Sequence, residues 1–227
     1  MQPEGDLKPM MTNRFFKMNI APLLKTATAF LCTVFILQPA HALFSVVDTG
    51  TLVAPGSYQA TFEPQFILSR YSGLNVVGRL DTGLNESSSV RGIIGVGIID
   101  FEFGGFYKYI PFPDTETQPA IGGEIGVIYG RVNRSNILSI RFNPLVSKSF
   151  GSDIGKITGY GSVPFGITSW ENESTVPVQL VAGAELVPTN LKYMSFFTEV
   201  GLNVANAFNY VSFAVSYRFD EINLKHR

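Results

Sequence analysis

The sequence predicts an all-β protein: a closed, antiparallel, up-and-down transmembrane β-barrel of about ten strands, within a range of 8–10. Three observations predict it. Alternation of apolar and polar residues dominates residues 57–219, with no convincing stretch of helical period. The alternating segments run to about ten to thirteen residues each. A tilted membrane strand needs roughly 9–11, whereas strands of soluble proteins cluster near about 5–6. Lastly, the polar face carries sparse single charges of both signs among Gly, Ser, Asn and Gln, not the dense Lys and Glu of a solvated sheet.

Composition agrees. The 227 residues include 22 Gly, 19 Phe and 9 Tyr, a mixture poor for helices and rich for strands. A net charge of -1 gives no reason to expect a nucleic-acid partner. The length suits one sizeable domain.

Residues 1–42 read as a signal peptide. Arg14, Lys17 and Lys25 precede the apolar run Thr26–Leu37, the breaker Pro39, and an Ala40-His41-Ala42 cleavage site. Met18 is placed as the true start, which makes residues 1–17 an over-called extension. The single cysteine, Cys32, lies in this leader, so a mature chain beginning at Leu43 has no thiol, disulfide or cysteine metal site. Residues 43–56 form an N-terminal lead-in to the barrel.

The barrel is expected over residues 57–219. In Ser57–Ser69, Tyr58, Phe62 and Phe66 face one way and Gln59, Glu63 and Gln65 the other. Leu74–Leu84 carries Arg79 and Asp81 on its polar face. Val90–Ile98 and Asp100–Pro111 follow as two strands, although no Asn-Gly or Gly-Gly turn divides them. Pro111–Pro119 is the clearest loop. Alternation resumes in Ile121–Val132, Leu138–Val146, Ile157–Thr168, Val176–Val187, Met194–Asn203 and Tyr210–Phe219. Ten segments, an even number, return the chain to its starting side, with both termini expected in the periplasm. Tyr58, Tyr71, Tyr109, Phe112, Phe150, Trp170, Tyr193, Phe196 and Tyr210, near segment ends, are expected to form interfacial girdles.

The last segment, Asn209–Phe219, sets Val211, Phe213, Val215, Tyr217 and Phe219 against Ser212, Ala214, Ser216 and Arg218. It resembles the C-terminal signal strand of bacterial outer-membrane β-barrels, with Ser212, Ala214, Tyr217 and Phe219 at the four defined places. Two departures are present: Ala214 stands where the family has glycine, and an extension, residues 220–227, follows Phe219. The resemblance implies the bacterial outer membrane as location. It also implies outer-membrane lipid and, during insertion, the barrel-assembly machinery as partners. Oligomeric state is not legible.

The inward charges are expected to form one luminal network: Glu63, Arg79, Asp81, Arg91, Asp100, Glu102, Lys108, Glu124, Arg141, Glu185, Glu199 and Arg218. Acids and bases would neutralise each other there, interspersed with glycine. Catalytic chemistry finds little support. His226 is the only histidine after the leader, so neither a Ser-His-Asp triad nor a histidine metal site is expected. Asp100 and Glu102 could be paired carboxylates, but read better as balanced luminal acids. Asp114 and Glu116 read as a solvated turn, and Gly92, Gly95 and Gly97 as relief of crowding or a bulge. No catalytic residue, cofactor or metal is expected. The expected function is that of a non-enzymatic outer-membrane barrel with a side-chain-filled polar lumen, since the links between strands are too short for a plug. Two alternatives remain: a narrow channel for ions or small solutes, and a soluble periplasmic lipocalin-like barrel with its apolar face inward.

Overall fold

The computed structural model describes residues 45–69, 72–132, 135–170 and 173–220. The leader with Ala40 and Ala42, Tyr71, and the residues after Asp220 lie outside them. The strands are β1 (Ser57–Ile67), β2 (Gly73–Asn85), β3 (Ser88–Gly97), β4 (Phe101–Phe112), β5 (Ala120–Val132) and β6 (Ser135–Ser152). They continue with β7 (Gly155–Ser162, then Phe165–Trp170), β8 (Glu173–Thr175, then Val178–Pro188), β9 (Met194–Ala205) and β10 (Tyr210–Asp220).

Each strand pairs antiparallel with its chain neighbours, and β1 pairs with β10 from Ser57↔Asp220 to Ile67↔Tyr210. The sheet therefore closes as ten strands and leaves no edge, which is what lipid demands of a β structure. Proline breaks each of two strands into halves. Pro144 of β6 lies between the pairs Phe142↔Phe165 and Leu145↔Ser162, opposite Val163-Pro164, and Pro177 separates the halves of β8. Proline has no N–H to give a ladder, yet the register of β6 with β7 and of β7 with β8 runs unshifted across the breaks, while that of β8 with β9 shifts between Val178 and Gln179.

The division of residues 90–111 into two strands holds. Gly97 takes φ +144, a backbone conformation open to glycine, and the chain turns through Ile98–Asp100. That turn corrects one expectation. Asp100 shares the parity of Glu102, but β4 begins only at Phe101, so Asp100 sits exposed at the rim and outside the luminal network. β6 is also longer than its alternation suggested, at 18 residues, and projects with β7 as a ribbon at the end carrying Ser57 and Asp220. That end is called the terminal end below.

The faces are as alternation predicts. Phe62, Phe142 and Phe213 are 59%, 41% and 52% exposed, while Arg79 and Arg141 are 6% and 1% exposed. A continuous apolar outer wall over a charged interior belongs in lipid and would be intolerable in water. Tyr109, Phe112, Phe150 and Tyr193 crowd the terminal end of that wall, and Tyr58 stacks on Phe219 across the closing seam at 5.6 Å.

Two expectations about the interior need correction. Tyr210 is fully buried in the lumen and is no girdle residue, because it shares the inward parity of Ser212. The lumen is also not polar throughout. Towards the far end Ile67, Val77, Ile99, Ile137, Phe208 and Tyr210 form an apolar layer, with Ile98, Val132 and Trp170 packed against it.

Phe62→Arg, at the middle of β1 on the outer wall, is expected to cost about 2–4 kcal/mol, read from urea unfolding in lipid vesicles.

Candidate functional site

The site is the lumen, and it is occupied. Alternation brings Glu63, Arg79, Asp81, Arg91, Glu102, Lys108, Glu124, Arg141, Glu185 and Glu199 together as buried inward side chains, with Arg218 half-buried at the terminal rim. Arg79 bridges to Glu63 across β2 and β1 at 2.5 Å. Arg91 bonds Asp81 at 2.7 Å and lies 3.6 Å from Glu124, and Arg218 donates to Gln59 at 3.0 Å.

Sequence reasoning gave residues 43–56 no role beyond leading in. In the structure Ser45–Thr49 and Val53 are buried within the barrel. The segment enters at the terminal end, where Pro55 bridges to Gly83, and runs up the lumen towards its middle. Lys108 Nζ donates to the carbonyls of Thr49 and Thr51 and to Asp48. One step higher, Asp48 lies 3.4 Å from Arg91, and Arg91 donates to the Val46 carbonyl. Higher again, Arg79 donates to the carbonyl and hydroxyl of Ser45. The Gly50 amide donates to Ser147 Oγ at 2.8 Å, and Thr49 Oγ1 to Glu185 at 3.3 Å. Irregular backbone at membrane depth is tolerated only where protein satisfies it, and these luminal side chains do so.

Glu199 is the anchor. Its Oε1 accepts the Val46 amide at 2.8 Å and the Tyr210 hydroxyl at 2.6 Å; its Oε2 accepts the Val47 amide at 2.6 Å and the Tyr160 hydroxyl at 2.8 Å. Val47 has φ +37, unusual for a β-branched residue, and this kink aims two successive amides at one carboxylate. Both tyrosines reach inward because their rings lie across glycines of the neighbouring strand, Tyr160 over Gly183 and Tyr210 over Gly201, where any Cβ would collide. Phe106 lies over Gly126 in the same way. The Val47 side chain meanwhile packs among Ile110, Ala120, Leu145, Tyr160 and Phe197.

Little space remains. The cavity beside Asp48, Arg91 and Lys108 has a volume of about 10 Å³, close to the least that holds one water. Nor do the charges balance: among the described residues seven buried acids face four buried bases. Both oxygens of Glu102 and two nitrogens of Arg141 lack a hydrogen-bond partner. Among the described residues no group of His, Cys, Asp or Glu is arranged to hold a metal ion.

The Ser212, Ala214, Tyr217 and Phe219 set spans the wall of β10, with Ser212 and Ala214 buried inward and Tyr217 outward. Gly95 is crowded by the Glu102 side chain, whereas Gly92 faces open space. Outside the barrel, Asp114 is more than a solvated turn residue. It accepts Lys148 Nζ at 2.9 Å and the Ser149 amide at 3.0 Å, which ties the loop of residues 113–119 to the β6 ribbon. The Lys148 hydrogen bond holds the Asp114 carboxyl below the usual carboxylate range.

No protein-family model matches the chain, and no curated protein is similar to it. Among solved structures, an outer-membrane channel from Pseudomonas putida F1 is 9% identical over 78% of this chain and 100% of its own, with a TM-score of 0.44. The β domain of the Bordetella autotransporter BrkA is 12% identical, covering 74% and 99%, at 0.43. The translocator domain of the autotransporter NalP from Neisseria meningitidis is 9% identical, covering 88% and 96%, at 0.41. Overlaps this distant carry no weight beside the barrel's own geometry. A closed ten-stranded wall, apolar outside and charged within, makes the chain a small transmembrane β-barrel.

Tyr160→Phe and Tyr210→Phe each withdraw a donor from a buried carboxylate and are expected to cost about 1–3 kcal/mol, read as a lower urea midpoint. Glu199→Ala frees the segment, so protease should then cut within residues 45–54. The loop tie has its own pH dependence. Because the folded Asp114 value is depressed, its contribution is fully present above the ordinary Asp value of about 3.9 and is lost as pH falls through the folded value. Pepsin should therefore spare the 113–119 loop near that ordinary value, cut it at lower pH, and cut it at both in Lys148→Ala.

Proposed function

We propose that this chain is a non-enzymatic outer-membrane barrel with a structural or interaction role, sealed against conduction by its own N-terminal segment. The observation that supports this is the seating of Ser45–Thr51 on Lys108, Arg91, Arg79 and Glu199, with room beside it for about one water. The apolar layer around Phe208 and Tyr210 adds a second barrier above it. Outer-membrane lipid is the partner of the outer wall, and the barrel-assembly machinery reads the Tyr217-Arg218-Phe219 end of β10 during insertion. The narrow-channel reading requires the segment to leave. The lipocalin-like reading requires Phe62, Phe142 and Phe213 to line a cavity, against their exposure.

Planar-bilayer recording tests the proposal. The intact protein is expected to give no conductance steps, and a variant lacking residues 45–54 is expected to give them. Steady conductance by the intact protein would replace the sealed barrel with the channel.

A further inference from the structure

The link between β8 and β9 builds a hollow on the outside of the wall. Residues 189–193 fold as two successive tight turns. The Leu191 amide donates to the Pro188 carbonyl at 3.1 Å, and the Met194 amide to the Leu191 carbonyl at 2.9 Å. Both flanks are pinned. The Thr189 amide donates to the Ile154 carbonyl of the β6–β7 ribbon at 3.2 Å, and the Arg218 amide to the Tyr193 carbonyl at 2.7 Å. Met194 pairs with Tyr217 across β9 and β10. The open hollow left there has a volume of about 320 Å³. Leu191, Tyr193, Met194 and Tyr217 give it an apolar lining, in which Lys192 is the one charged residue among the described residues.

We propose that this hollow binds one phospholipid of net negative charge, with the headgroup phosphate on the Lys192 ammonium and the start of an acyl chain on Leu191, Met194 and Tyr217. This rests on lipid being the partner of the outer wall, and names one place on that wall and the lipid class it holds.

Height, lining and charge each point to that occupant. Tyr217 stacks on Phe219 at 6.3 Å and Phe219 on Tyr58 at 5.6 Å, so the hollow continues a row of aromatics along the terminal rim. Such rings settle where headgroups meet hydrocarbon, which is the level of a lipid phosphate. Leu191, Tyr193 and Tyr217 are exposed, and an acyl chain covers them. A lysine beside them lays its stem along apolar surface and holds its ammonium at the headgroups.

Charge selects the class of lipid. Lys192 is exposed and has no side-chain partner among the described residues. No acid lines the hollow, so nothing there meets the ammonium of a choline or ethanolamine headgroup. The wall agrees. Among the described strand residues every acid has inward parity, while Arg131 and Lys148, of outward parity, are cations. A second barrel does not fit the hollow, since a stable protein interface needs about 1,200 Å² or more.

The test uses the purified full chain in lipid nanodiscs, of phosphatidylcholine alone or with added phosphatidylglycerol. Reductive methylation, quantified by peptide, reads Lys192 against Lys156, an exposed lysine of β7 at the same rim. A negative bilayer surface slows both lysines alike, whereas a bound phosphate shields Lys192. With phosphatidylglycerol present, Lys192 is expected to label roughly fivefold more slowly than in phosphatidylcholine, and Lys156 to change far less. Leu191→Ser keeps the lysine and should lose that difference; Tyr193→Ser decides the matter if the first variant does not fold. Inorganic phosphate added to phosphatidylcholine discs should leave Lys192 as reactive as before. Equal slowing of the two lysines, or slowing that survives loss of the apolar side chain, overturns the site. So does shielding of Lys192 by inorganic phosphate or by phosphatidylcholine alone. Failure of the chain to enter discs overturns the site together with the lipid-facing wall. No selective shielding in discs the chain has entered overturns the site and leaves that wall standing.

Discussion

Four hydrogen bonds on one carboxylate hold the interior of this barrel together. Glu199 takes two amides from the N-terminal segment and two phenols from opposite flanks of the wall. Remove the segment and a charged group is left in a lumen with only the tyrosines to stabilise it; remove the tyrosines and the segment loses its seat. The arrangement reaches into the strands themselves. Tyr160 and Tyr210 can lean onto their neighbours only because positions 183 and 201 are glycine. Wall composition, aromatic placement and luminal occupancy are therefore one constraint expressed three times.

The wall was legible in the sequence because the side-chain period of a strand is two and its consequence is binary. Once Phe62 faces lipid, Glu63 must face inward, and the same rule carried through ten strands. Alternation gives the face of a residue but not its height or the point where a strand stops. Asp100 was misplaced for that reason, since it lies beyond the start of its strand, whereas Tyr210 was assigned to the girdle by its position near a strand end, against the inward parity it shares with Ser212. The occupied lumen was illegible for a different reason. Ser45-Val46-Val47-Asp48-Thr49-Gly50 has no period, and nothing local distinguishes a linker from a chain whose every polar group will be met by side chains distant in sequence. The surplus of inward acids over bases was the available clue, since an interior so unbalanced needs donors from outside the wall.

Proline shows how strictly the membrane enforces that accounting. Pro144, Pro164 and Pro177 interrupt the ladders of three successive strands, and each removes a donor. The carbonyls left over are met individually. Ser162 Oγ donates to the Pro144 carbonyl at 2.6 Å, and the Gln179 amide to the Pro164 carbonyl at 3.0 Å. Outside this patch Phe142 and Phe165 meet edge to face at 5.3 Å and cover it from lipid. Backbone pairing lost along the ladder is regained locally, and the register shift beside Pro177, between Val178 and Gln179, leaves Gln179 and Glu185 buried inward.

The segment stands in for water. Strands that turn six buried acids and four buried bases inward could be stabilised by filling the lumen with solvent, at the cost of a leak. Backbone is an alternative solvent: each residue brings a donor and an acceptor, fixed in place and covalently tethered. Amides of Val46, Val47 and Gly50 serve acceptors on the wall, while carbonyls of Ser45, Val46, Thr49 and Thr51 serve its cations. The one acid it adds, Asp48, goes between Arg91 and Lys108, where positive charge is concentrated. A short irregular stretch thus satisfies charges that paired side chains alone leave unmet.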